Sequence, residues 1–107
     1  MKLKSLLANA TLGLGLMFAL AANVHAGDAK AGAGKSGLCA GCHGADGISL
    51  APDIPNLAGQ KEAYLIKAIK DYRSNKRKNP MMNSMAANLS DSDIEDLAAF
   101  FSSLKSQ

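Results

Sequence analysis

The chain has 107 residues and a formal net charge of +3, with two tyrosines, three phenylalanines and no tryptophan. A chain of this length makes one small domain. So few large apolar side chains rarely build a self-sufficient core, and such domains are usually completed by disulfides, a metal or a large cofactor. Setting aside Lys2 and Lys4 leaves ten of the twelve Lys and Arg against nine Asp and Glu, which excludes the broad basic surface of a nucleic-acid binder.

Lys2 and Lys4 precede residues 6–22, mostly Leu, Ala, Gly, Met and Phe; Val24-His25-Ala26 closes the run before polar Gly27-Asp28-Ala29-Lys30. Positive residues, an apolar run and a small-residue site, in that order, form a secretory signal peptide. Residues 1–26 are therefore expected to be removed and residues 27–107 to form the domain. As a retained membrane anchor the run is short and glycine-punctuated, and no positive stop-transfer cluster follows it.

Residues 28–38, rich in Ala and Lys, predict a first helix weakened by Gly32, Gly34 and Gly37. It delivers Cys39-Ala40-Gly41-Cys42-His43. Residues 44–59, with Pro52 and Pro55, predict a loop. Tyr64, Leu65, Ala68, Ile69 and Tyr72 recur at helical spacing and predict a central helix over residues 61–72. Residues 73–79 read as a charged turn stopped by Pro80, and residues 81–89 as a second loop carrying Met81, Met82 and Met85. Ser90 offers a cap, and Asp91, Asp93, Glu95 and Asp96 suit the positive end of a last helix. Its buried face would be Ile94, Leu97, Ala98, Phe101 and Leu104. No segment alternates with period two, so the fold class is all-α.

Cys39-x-x-Cys42-His43 is a haem-attachment signature. Two thiols one helical turn apart can add to the neighbouring vinyl groups of haem, and the adjacent imidazole can ligate its iron. A thioredoxin-like redox pair would need a strand and a βαβ context. A zinc site would need two further ligands, and residues 27–107 hold no other Cys or His. A disulfide closing so short a loop would stabilise little.

With no second histidine in the domain, the sixth iron ligand falls to methionine, which favours ferrous iron and raises the potential. Met81, Met82 and Met85 are the candidates, although any one of them could be a flexible core residue. Arg73, Lys76, Arg77 and Lys78 place four positive charges in six residues. Such a run is a solvated turn or a steering patch for an acidic partner.

In order along the chain stand Gly27-Asp28-Ala29, Cys39-Ala40-Gly41-Cys42-His43-Gly44, Pro55-Asn56-Leu57-Ala58-Gly59-Gln60, the segment from Met82 to Ser90, and Asp96-Leu97-Ala98-Ala99-Phe100-Phe101. This set resembles the class I cytochromes c, in particular small bacterial periplasmic monohaem cytochromes and the domains repeated in bacterial di-haem ones. The likeness covers residues 27–107 and implies helices and loops wrapped around one haem c, covalently bound through Cys39 and Cys42. It implies iron held between His43 and Met82, since the family's ligand sulfur sits three residues before the Met-Ala-Ala element. It also implies that the carbonyl of Pro55 accepts a hydrogen bond from the ligand imidazole, which fixes the tautomer.

The function so implied is a periplasmic carrier, not an enzyme, expected to be monomeric. It would shuttle single electrons between respiratory, membrane-associated redox partners. The alternative is a cytochrome subunit bound to a dehydrogenase or oxidase; a haem sensor or peroxidase would need the methionine displaced. Two departures from the family carry their own expectations. The first helix lacks the usual aromatic, so Leu38 and the small glycines are expected to pack on Leu97 and Phe100 or Phe101. No Trp serves a haem propionate, leaving Gln60, Tyr64 and Arg73 as candidates.

Overall fold

In the computed structural model, residues 27–107 are described; the signal peptide expected over residues 1–26 lies outside them. The described residues form five helices and no strand: α1 Ala29–Lys35, α2 Gly37–His43, α3 Glu62–Arg73, α4 Pro80–Ala86 and α5 Asp91–Ser103. This is an all-α fold.

The single first helix expected over residues 28–38 is two helices. Asp28 caps α1, its carboxylate accepting from the amides of Lys30 and Ala31. At the break, the Ser36 hydroxyl donates back to the carbonyl of Ala33 at 2.9 Å. A serine satisfied by the local backbone, with Gly34 and Gly37 on either side, offers the chain a way out of regular helix. α2 then carries Cys39, Cys42 and His43 together, so the two thiols and the imidazole share one rigid turn. Gly44 follows with φ 88°. A Cβ there would stand 2.0 Å from the carbonyl oxygen of Ile48, so only glycine turns the chain this sharply away from His43.

The second loop expected over residues 81–89 is largely helix. Pro80 does not stop an element; it opens α4 from its first position, where a missing N–H costs nothing. Asn79 is the cap, its side-chain oxygen accepting from the amide of Met82 at 3.0 Å. Ser90 caps α5 reciprocally: its hydroxyl accepts from the amide of Asp93, whose carboxylate accepts from the amide of Ser90.

Leu65 of α3 and Leu97, Ala98 and Phe101 of α5 form the core cluster, with Cys39, Leu57 and Leu104 packed against it. Leu65, Leu97 and Phe101 each contribute about 1.5–3 kcal/mol by this burial. α1 packs against α5 by close backbone approach, because a Cβ on Gly32 would stand 1.9 Å from the carbonyl oxygen of Asp96. The expected part of Leu38 in this contact is not observed. Leu38 is 58% exposed and lines a cavity to which α5 contributes Leu97, Ala98 and Phe101, while Cys39 is the residue of α2 packed on the core cluster. Asp96, buried in α5, accepts from the amide of Asp28 at 2.9 Å and from Lys35 Nζ at 2.6 Å. These two bonds tie the start of the domain to its last helix.

Candidate haem site

α2, the 44–59 loop, α3, α4 and α5 enclose a cavity of about 460 Å³, within the ordinary range for a bound organic group. Cys39, Cys42, His43, Pro55 and Met82 all line it, as do Met81 and Met85. So does the apolar stripe of α3, which explains why only Leu65 of that stripe is fully buried.

The imidazole of His43 is 8% exposed, and its Nδ1 stands 2.8 Å from the carbonyl oxygen of Pro55. A carbonyl only accepts, so Nδ1 carries the proton and Nε2 keeps its lone pair. That is the tautomer a metal ligand needs, held by the bond that orients the ring. Cys39 and Cys42 are free thiols. Burial pushes the Cys39 thiol up from its usual range, opposite to the depressed pKa that a thioredoxin-like nucleophile uses.

Among the three methionines Met82 is half-buried, while Met81 and Met85 are exposed. The Met82 end of the cavity is braced by Asn83. Its side-chain amide donates to the carbonyls of Tyr72 and Arg77, both at 2.8 Å, and accepts from the amide of Asn79 at 2.9 Å. Neither Asn83, within the Met82–Ser90 segment, nor the cap Asn79 is marked by the sequence for this role, because a lone polar residue carries no periodicity.

The basic run divides. Arg73 donates to Asp91 at 2.6 Å and to the carbonyl of Leu89 at 3.0 Å, and it does not line the cavity. Arg77 does line it, together with Gln60 and Tyr64. Lys76, Arg77 and Lys78 are all exposed.

The Cytochrome c family model matches residues 29–105. The chain belongs to the cytochrome c family. It is a c-type cytochrome, an electron-carrying protein, and covalently bound haem c is its cofactor. Over 81 residues it is 53% identical to cytochrome c-554(548) of Halomonas halodenitrificans, covering 73% of this chain and 98% of that protein. Cytochrome c4 of Pseudomonas aeruginosa is 51% identical over 80 residues, covering 75% of this chain. This cytochrome spans only 40% of that relative's length. The crystal structure of reduced recombinant cytochrome c4 from Pseudomonas stutzeri superposes with a TM-score of 0.72 at 48% identity, covering 75% of this chain and 47% of that one. The fold is the class I cytochrome c fold.

The donors present fit haem c. Two thiols one turn apart, one imidazole with a free Nε2 lone pair, and three thioethers face one apolar cavity, which is a soft and nitrogenous donor set suited to haem iron.

Proposed function

We propose that residues 27–107 form a periplasmic one-electron carrier in which Cys39 and Cys42 hold haem c by thioether bonds and His43 and Met82 supply its axial ligands. The observation that supports this reading is the bond from His43 Nδ1 to Pro55, which leaves the Nε2 lone pair free on a residue that lines the cavity. When bound, haem c supplies the reversible ferric–ferrous couple. The protein's part is positional. α2 keeps thiols and imidazole in register, Pro55 fixes the tautomer, and Asn79 anchors the α4 turn that presents Met82. The apolar walls from Leu65, Leu97 and Phe101 keep water from the iron and favour the less charged ferrous state.

Export rests on the order of positive, apolar and small residues before Gly27. Among the described residues no helix is long and apolar enough to cross a membrane. The partners on this reading are redox proteins at the membrane, and the carrier acts as a monomer.

Intact mass under denaturing conditions should equal residues 27–107 plus one haem, and that haem should resist extraction into acidified organic solvent. Met82→Ala should abolish the sulfur-to-ferric-iron charge-transfer band and lower the potential, whereas Met85→Ala should keep the band. The reverse pattern would move the ligand to Met85. Stoichiometric co-purification with a dehydrogenase or oxidase would replace the free carrier by a bound subunit.

A further inference from the structure

A largely apolar cavity that takes haem c must also accept two propionate carboxylates, and burying a carboxylate without a charged or hydrogen-bonding partner is costly. Two cationic side chains line the cavity, Lys35 and Arg77. Lys35 is already committed, its Nζ standing 2.6 Å from Asp96 and 3.0 Å from Asp93. Among the described residues Arg77 has no carboxylate within ion-pair distance.

Arg77 is nevertheless held in place at every level. Its amide donates to the carbonyl of Asp71 at 3.0 Å, and its carbonyl accepts from Asn83 at 2.8 Å. The guanidinium carbon lies 4.7 Å from the centre of the Tyr72 ring, a cation–π distance. Nη1 donates to the Tyr64 hydroxyl at 3.3 Å. Both tyrosines line the same cavity. A guanidinium has five N–H donors in a planar fork; one is assigned to Tyr64, and the fork geometry suits bidentate capture of a carboxylate.

We infer that Arg77, positioned by Tyr64 and Tyr72, binds a propionate carboxylate of haem c, the role for which Arg73 was the arginine candidate from sequence. The inference rests on the haem reading of the cavity. A carboxylate near the iron stabilises the ferric state, and a guanidinium paired with it cancels that effect. Arg77 therefore raises the reduction potential without touching iron.

The test uses the haem-loaded protein and two readouts, the midpoint potential and the propionate-bending bands in the resonance Raman spectrum. Arg77→Gln should lower the potential and shift a propionate band. Arg77→Lys, which keeps the charge but loses the fork, should recover much of the potential while the band stays displaced. Tyr64→Phe should shift both in the same direction as Arg77→Gln, by less. If Arg77→Gln melts earlier but leaves potential and bands unchanged, Arg77 is only an anchor of the turn and the inference is overturned. Where Arg77→Gln yields no holoprotein, Arg77→Lys decides, an undisplaced propionate band overturning the inference and a displaced one supporting it. A parent protein without covalent haem would instead overturn the haem reading itself.

Discussion

Asn83 lies in the Met82–Ser90 segment with no role that its sequence context marks, yet its one side-chain amide joins the end of α3, the basic turn and the cap of α4. Removing it leaves two carbonyls and one amide without their partner, at about 1–3 kcal/mol for each group that water cannot reach. Asn83→Ala should therefore destabilise the fold by roughly 2 kcal/mol. It should also make the methionine charge-transfer band melt at a lower temperature than the haem Soret band, because the turn that carries Met82 loosens first. A single transition, unchanged from the parent, would show that the caps of α4 suffice without Asn83. At this scale legibility was uneven for a physical reason. Cys39, Cys42 and His43 stand out because covalent attachment demands a fixed spacing. Asn83 and Arg77 do not, because their partners are backbone carbonyls and ring faces brought near only by folding. The split of the basic run follows from the same fact: Arg73 and Arg77 find side-chain partners in the fold, whereas Lys76 and Lys78 reach into water, and Arg77 is exposed like the lysines beside it.

Among the elements, α3 and α5 were legible because a stripe at helical period buries on a core or a cavity alike. The break at Ser36 and the helix α4 were not. Glycines in residues 28–38 signal weakness but not where the chain yields. Pro80 is compatible both with ending a turn and with opening a helix, and the apolar residues of α4 are too few to display a period. The two glycines of α1 test the packing account directly. A Cβ on Gly32 would collide with the backbone of α5, whereas a Cβ on Gly34 meets nothing within 4 Å. Gly32→Ala should cost about 1–3 kcal/mol as overpacking, or unfold the domain. Gly34→Ala should stabilise it by about 0.5–1 kcal/mol through helix propensity alone. Equal effects by chemical denaturation would disprove the close approach of α1 to α5. The same helix pair sets an acid limit. The backbone amide of Ser90, then Lys35 and the Ser90 hydroxyl, hold the Asp93 carboxyl down at about 2, from an ordinary 3.8. A folded-state pKa below the unfolded one gives stability that is complete above about pH 4 and lost as pH falls toward 2. Melting temperatures of the parent and Asp93→Asn should thus differ at pH 7 and converge near pH 2; a gap that persists there would remove Asp93 from the acid transition.

Over the whole molecule, charge is nearly balanced: ten Lys and Arg against nine Asp and Glu in residues 27–107. Long-range attraction to a partner therefore depends on where charges sit, and not on their sum. Lys76 and Lys78 are exposed on the turn that leads from α3 into α4, beside the Arg77 and Met82 side of the cavity. Exposed lysines contribute little to stability, since screening and side-chain entropy offset their pairing. They can still speed encounter, because their field reaches about one Debye length, roughly 8 Å at physiological ionic strength and three to four times farther at 0.01 M salt. Arg73 must be left out of the experiment, because its bond to Asp91 and to Leu89 joins α3 to the start of α5; Arg77 must also stay, because it faces the cavity. With Lys76→Gln and Lys78→Gln combined, the haem spectrum should be unchanged and stability should stay within about 0.5 kcal/mol of the parent. The bimolecular electron-transfer rate with an acidic redox partner should fall several-fold at low salt and converge with the parent's at high salt, flattening its ionic-strength dependence. Rates and salt slopes that superimpose on the parent's would make the lysines a solvated turn, and docking would then rest on the apolar side chains that line the cavity in the open, Leu38 and Met81, both 58% exposed.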